Sequence, residues 1–301
     1  MKDYVIVVDG CSCMIKEDRE KYGIRILSSP YFIEGDDKKY VASPDYDTIS
    51  AKEFYEVVRS GKRITTSMIN QKDFENLFEE IIKSGKGVLY TGSALKLTAS
   101  VNQALLAKKE LESKYPNAKI ECIDTKSAGY AVGMLAMDAC KRRDDGMSLE
   151  DNVNEIKNHL MNYNEIGYVD KLVYLKRAGR VSAPSAFFGG LLGIKPIIVS
   201  DLEGGNNAFE KIKGKQKSFD RMVEILQKYM DTSNHKTVYM MHADCLDEAQ
   251  GFAQAIQKGF NDKDLKIEFR NIEPAIGASV GPGTLIFNFY ASEDLRKDFL
   301  K

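Results

Sequence analysis

The sequence predicts an α/β protein of two domains with largely parallel or mixed sheets, and three observations carry that reading. Short apolar or β-branched runs alternate with longer stretches whose apolar residues recur three and four positions apart, the helical period. The 301 residues suit two domains of roughly 150 residues each. With 43% hydrophobic and 29% charged residues, the composition is that of a globular chain and excludes a disordered or fibrous one.

The first buried strand is expected at residues 4–8, and 29–44 reads as an irregular excursion or hairpin turned by Gly35-Asp36-Asp37. A helix follows over 50–60, where Phe54, Val57 and Val58 share a face and Ser50 with Glu53 fits a capping box. Over 71–84, Phe74, Leu77, Phe78, Ile81 and Ile82 form a broad apolar stripe. Strands at 87–90 and 119–123 flank a helical segment at 101–114, and helical segments at 128–140 and 149–161 complete the first half. Further strands are expected at 171–175, 196–199, 237–241, 267–271 and 285–290, with helices at 219–230 and 249–260. The division falls within 158–168, where a helix ends and a strand begins, giving domains over 1–163 and 164–301. Lys211, Lys213, Lys215 and Lys217 alternate, as on one solvated face of an extended segment.

Several function classes are excluded early. The 43 Lys+Arg against 44 Asp+Glu leave a net charge of −1, so no global field draws nucleic acid or anionic membrane. No apolar run approaches the roughly 20 residues that cross a bilayer, and the longest, 186–199, is broken by Lys195-Pro196. The opening MKDYVIVVDG has too short an apolar run for a signal peptide. Five scattered cysteines are an odd number and no disulfide framework, so a reducing cytoplasm is the expected location. Cys11-x-Cys13 and the distant His159, His235 and His242 offer no metal-ligand spacing, and no cofactor is expected.

Five constellations remain. Ile64-Thr65-Thr66-Ser67 precedes a helix, where hydroxyls either help hold an anion or simply cap, a task Asn70 can perform alone. Tyr90-Thr91-Gly92-Ser93 follows a strand, so Ser93 sits at a carboxyl end, where ligands of open α/β sheets collect. The nucleophile elbow Gly-x-Ser-x-Gly is absent there, which makes Ser93 a binder before an attacker. The run from Leu175 to Ser182 carries Lys176, Arg177 and Arg180 in a polar loop, either a solvated turn or a fork for carboxylate or phosphate. The glycine-studded run from Ala186 to Ile194 fits a buried helix, or a wall that a slender ligand approaches closely. Gly277 to Gly283 faintly resembles a phosphate loop, but a strand-like run follows it and nucleotide binding is rejected.

Taken in order along the chain, these pieces resemble the DegV family, which includes the fatty-acid-binding FakB proteins. The matching features are a first strand ending in Asp9, the Thr65-Thr66-Ser67 run, the Ser93 loop and Asp124-Thr125. They continue with Leu175 to Ser182, resembling Leu-Lys-x-Gly-Gly-Arg-Ile-Ser, then Gly193-Ile194-Lys195-Pro196-Ile197 and the Gly-x-His-x-Gly-Pro-Gly equivalent at Gly277 to Gly283. The resemblance implies two α/β domains, a long-chain fatty acid buried in the second, and a carboxylate held by hydroxyls near the domain interface. Thr65, Thr66 and Ser93 then hold the head group, with Gly277, Ala278 and Ser279 beside it. Phe187, Phe188, Leu191 and Ile194 line the tail, and Arg177 and Arg180 belong to a head-group or partner-facing loop. FakB proteins present the fatty acid to an ATP-dependent kinase for phospholipid synthesis and perform no chemistry themselves. Ser279 stands where the family has histidine, Lys96 enters the serine loop, Ala178 replaces a glycine, and Met68-Ile69 replace Gln-Pro.

A sixteen-carbon tail is worth about 0.8 kcal/mol per buried methylene, on the order of 12 kcal/mol before the costs of association. The carboxylate is the expensive part and needs several donors. Without a nearby cation, the ligand is expected to bind with a raised pKa, in part as the neutral acid. Two other readings stay open: a serine hydrolase using Ser93 with a distant His242, and a carrier of a different amphiphile, suggested by Ser279 and Lys96.

Overall fold

A computed structural model describes residues 3–182, 193–233, 235–260 and 262–299. The first half runs β1 (Tyr4–Asp9), α1 (Lys16–Tyr22), β2 (Arg25–Leu27), β3 (Pro30–Ile33), β4 (Tyr40–Val41), α2 (Ala51–Arg59) and β5 (Ile64–Thr66). It continues with α3 (Gln71–Lys83), β6 (Gly87–Gly92), α4 (Ser100–Lys114), β7 (Ile120–Asp124), α5 (Tyr130–Asp144) and α6 (Leu149–His159). Strands in the order β2-β1-β6-β7 pair in parallel. A side chain points to opposite faces on alternate strand positions. Val7, Val88 and Tyr90 accordingly pack with Phe74, Phe78 and Leu111 from α3 and α4. Ile6, Val8 and Leu89 turn the other way, toward Leu135 of α5 and Ile156 of α6.

The hairpin reading of 29–44 holds: β3 pairs antiparallel with β4 and, on its other side, with β5. Ser50 and Glu53 form the reciprocal capping box, and Asn70 alone caps α3 by accepting from the Asp73 N–H. The Thr65-Thr66 pair therefore does no capping; it lies in β5.

The second half runs β8 (Tyr163–Tyr168), α7 (Leu172–Ala178), β9 (Val181–Ser182), β10 (Ile194–Ser200), β11 (Asn206–Lys213) and α8 (Lys215–Tyr229). It ends with β12 (Thr237–His242), α9 (Leu246–Phe260), β13 (Lys266–Asn271), α10 (Pro274–Val280), β14 (Leu285–Tyr290) and α11 (Asp294–Asp298). The seven strands order as β13-β12-β14-β8-β10-β11-β9 in a mixed sheet. Ile166, Tyr168, Met240 and Phe287 bury one face with Phe219 and Met222 of α8 and Ile256 of α9. Another hydrophobic cluster spans both halves, joining Leu89 and Tyr130 to Tyr174, Met241 and Val280.

Three expectations need correction. Residues 171–175 lie largely in helix α7, which Gly179 ends at φ 61°; the strand ahead of it is β8. Its Leu172 and Leu175 are three apart and turn inward while Val173 stays exposed, a helical spacing that a short apolar run hides. Gly277 to Gly283 is likewise no simple loop, because Gly277 to Val280 belong to α10. Pro274 opens that helix, and the Glu273 carboxylate accepts the Ala275 and Ile276 N–H groups at 2.7 and 2.6 Å. The lysine alternation is broken at Gly214: Lys211 and Lys213 lie in β11, Lys215 and Lys217 in α8.

Candidate ligand-binding cavity

The carboxyl ends of β1 and β6 and the face of the second sheet turned toward the first half border a cavity of about 420 Å³. Its sheet wall is Gly167, Ile198 and Ile286, which point away from the face packed under α8 and α9. Leu175 of α7, Ile276 and Val280 of α10, and Leu97 from the loop after β6 add apolar surface. Polar lining includes Thr66 at the end of β5, Ser93 after β6, Ser279 on α10, and Arg180 after α7. Parallel strands place loop residues where a ligand sits at their carboxyl ends, and Cys11 and Ser93 occupy such positions.

Each hydroxyl has a different local commitment. Ser93 is fully buried; its Oγ donates to Asp9 Oδ1 at 2.8 Å and its N–H to Asp9 Oδ2 at 2.7 Å. Tyr90 adds a third bond to the same carboxylate at 3.2 Å. Ser279 Oγ donates back to Ala275 O at 3.2 Å within its helix. The half-buried Thr66 hydroxyl meets no partner among the described residues. Arg180 is exposed at the cavity edge, with Nη1 on Ala178 O at 2.8 Å and Nε on Leu97 O at 3.3 Å. The Arg180 guanidinium is therefore within the lining, as the head-group alternative for its loop has it.

One buried acid lines the cavity, and two more lie behind residues that line it. Glu165 on β8 lines it; Oε1 accepts from Ser200 Oγ at 2.5 Å and the Ala128 N–H at 3.1 Å. Burial pushes its carboxyl up, opposed by the positive charge of Arg296. Burial likewise raises Asp9, against the bonds from Ser93 and Tyr90. Glu273, at the head of α10, is pushed up to about 7, mainly by burial and further by Asp9.

Thr66, Ser93, Ser279 and Arg180 thus share one cavity. Thr65 and Ala278 instead line an adjoining groove of about 460 Å³ with Arg177, Lys62 and Arg63, which Thr66, Arg180 and Ser279 also border. Gly277 faces the other way: a Cβ there would meet the Tyr55 hydroxyl at 2.7 Å. Ile194 begins β10, is part-buried, and is not among the described lining residues. Phe187, Phe188 and Leu191 lie outside the described residues. Asp9 and Glu165 were missed as site groups. Asp9 was visible as a polar strand terminus, whereas nothing local marks Glu165 inside YNEIGY.

Fold and site together define a two-sheet α/β protein with a largely apolar cavity edged by hydroxyls. The chain belongs to the DegV family: the model of that family, described as an uncharacterised protein family, matches residues 3–291. A DegV domain-containing protein of Clostridium perfringens is 34% identical over 292 residues, covering 96% of this chain and 98% of the relative. The structure of DegV from Bacillus subtilis, described as a fatty acid binding protein, matches with TM-score 0.81 at 25% identity, over 96% and 99% of the two chains. A DegV family protein from Thermus thermophilus matches with TM-score 0.82 at 24% identity, over 96% and 100%. Among the described residues no helix is long and apolar enough to cross a membrane.

Proposed function

We propose that this chain binds a long-chain fatty acid, with the acyl tail in the 420 Å³ cavity and the carboxylate at Thr66 and Ser93. The observation that carries the reading is the convergence of hydroxyls from separate elements, Thr66, Ser93 and Ser279, on one largely apolar cavity. Its volume falls in the range of about 300–1,000 Å³ usual for small-molecule sites. The description of the Bacillus subtilis relative as a fatty acid binding protein supports the ligand class. Phe187, Phe188 and Leu191 remain proposed contributors to the tail wall, and Gly277 acts through the packing of α10 on α2.

The finer role is that of a cytoplasmic carrier with residues 1–163 supplying head-group hydroxyls and 164–301 holding the tail. It presents the carboxylate to an ATP-dependent fatty-acid kinase for phospholipid synthesis. The basic groove formed by Lys62, Arg63, Arg177 and Arg180 at the cavity edge supports an acidic or phosphate-bearing partner there. A serine hydrolase is disfavoured, because the Ser93 hydroxyl is engaged by Asp9 and His242 is not among the described lining residues. Solvent extraction with mass spectrometry tests the reading: a co-purifying acyl species, or uptake of one equivalent of added fatty acid, is expected. Neither appearing defeats it; fluorophosphonate labelling of Ser93 favours the hydrolase, and a different extracted amphiphile reassigns the cargo.

A further inference from the structure

A serine hydroxyl has one proton to donate and two lone pairs with which to accept. Ser93 spends that proton on Asp9 Oδ1 at 2.8 Å, and the same carboxylate also takes the Ser93 N–H and the Tyr90 hydroxyl. With Asp9 ionised, the Ser93 Oγ has only lone pairs left for the cavity. A fatty-acid carboxylate also offers only acceptors, so the two groups would meet lone pair to lone pair.

Resting on the fatty-acid reading of the cavity, we propose that Asp9 is a positioning residue for the head group and that each bound carboxylate brings one proton into the chain Asp9–Ser93–ligand. On Asp9, the added proton is donated to Ser93 Oγ, and Ser93 turns its own toward the ligand carboxylate. On the ligand, the carboxyl O–H donates directly to Ser93 Oγ. Either arrangement takes one proton from solvent, and only hydrogen bonds form or break.

The surroundings favour that extra proton. The titratable groups acting on Asp9 are Tyr90 from β6, Cys11 and Cys13 from the turn after β1, and Glu273 at the head of α10. Burial holds the two thiols and the phenol neutral, so Glu273 is the anion among them. A ligand carboxylate meeting Ser93 from the cavity adds a further negative charge one hydrogen bond away from buried Asp9, which an added proton cancels. The competing arrangement leaves Ser93 out and holds an ionised carboxylate with other lining donors such as Thr66 and Arg180, without proton uptake.

Calorimetric titration with oleate at pH 8, repeated in buffers of different ionisation enthalpy, counts the protons. About one per oleate is expected, with affinity falling about tenfold per pH unit between pH 8 and 9, where an added proton must be drawn from solvent. Tight binding with no uptake overturns the proposal and leaves the lipid reading standing. No oleate binding at any pH defeats the lipid reading and the proposal with it. In Asp9→Asn the amide N–H donates permanently to Ser93 Oγ, so uptake should vanish and the affinity become independent of pH. Uptake retained in D9N, or lost in Glu273→Gln with Asp9 intact, overturns the role of Asp9. Should D9N not fold, Ser93→Ala decides: uptake abolished supports the relay, and uptake retained refutes it.

Discussion

Thr66→Val exchanges a hydroxyl for a methyl of nearly the same shape at the end of β5. The Thr66 side chain is half-buried and its hydroxyl has no partner among the described residues, so nothing in the ligand-free fold is lost with it. Valine suits a strand, and the stability change should stay within about 0.5 kcal/mol. In the complex, a hydroxyl bonded to a carboxylate is worth about 1.5–3 kcal/mol. At about 1.4 kcal/mol per factor of ten, the affinity for oleate should fall about 10- to 150-fold. Displacement of a fluorescent fatty acid measures that fall, and thermal melting of the ligand-free variant measures the fold. An affinity within twofold of the parent refutes the head-group assignment. So does a fall accompanied by a drop of several degrees in Tm, since the loss would then be structural.

Ser93→Ala should behave differently, lowering both affinity and Tm, because it strips a donor from buried Asp9 at a cost of about 1–3 kcal/mol; unchanged melting would show that the bond contributes little. Gly281→Ala should be among the most damaging single changes outside the cavity, judged by denaturant unfolding. Gly281 has φ 75° and ψ 169°, a conformation essentially reserved for glycine, and a Cβ would lie 2.1 Å from Tyr174 Cδ2. Strain of about 1–3 kcal/mol and overpacking of similar size are expected, and a loss below 1 kcal/mol would contradict this. Glu273 sets a pH dependence. Its folded pKa of about 7 lies above the ordinary 4.5, so between these values the folded state keeps a proton that the unfolded state has lost. Its contribution therefore favours folding most at low pH and declines as pH rises from 4.5 through 7, by at most about 1.4 kcal/mol per unit. Melting from pH 4.5 to 8 in Glu273→Gln should flatten that part of the curve; superimposable curves would remove Glu273 as its source.

What was legible in the sequence follows from what periodicity reports. Apolar spacing records which side chains leave water, so β14 was read with its observed bounds and α3 with its apolar stripe and Asn70 cap. The β8 strand escaped because YNEIGY carries Asn164, Glu165 and Gly167, polar or small residues that hide its burial. Its burial comes from β14 and β10 pairing on both sides, a tertiary fact. The α10 helix escaped for the opposite reason: PAIGASV has small residues and glycine, and only the Glu273 cap and the contact with α2 reveal it. At the site, the order of motifs brought Thr66, Ser93 and Ser279 into view. The hold of Asp9 on Ser93 did not appear, since the two lie 84 residues apart and meet only when β1 pairs with β6.

In the proposed fatty-acid complex, the head group is where affinity is set. The tail supplies on the order of 12 kcal/mol of gross apolar gain, against association costs of about 4–15 kcal/mol, so the difference is small and adjustable. A buried arginine on the carboxylate would deepen binding through a desolvated ion pair whose separation leaves a buried charge, costing about 3–5 kcal/mol. The cavity instead brings hydroxyls of Thr66, Ser93 and Ser279 from its walls, with the exposed Arg180 guanidinium at the edge. A hydroxyl bonded to a carboxylate is worth about 1.5–3 kcal/mol, less than the cost of breaking such a buried ion pair. In the proposed carrier role, a ligand retained chiefly by its tail and oriented by replaceable bonds at its carboxylate keeps that reactive end available to a partner. On this reading, Ser279→His would add a group that gains a positive charge as pH falls through about 6.5. It should tighten oleate binding below pH 6 and leave it little changed at pH 8. Equal affinity of the two proteins at pH 5.5 would place Ser279 away from the carboxylate, despite its position on the cavity wall.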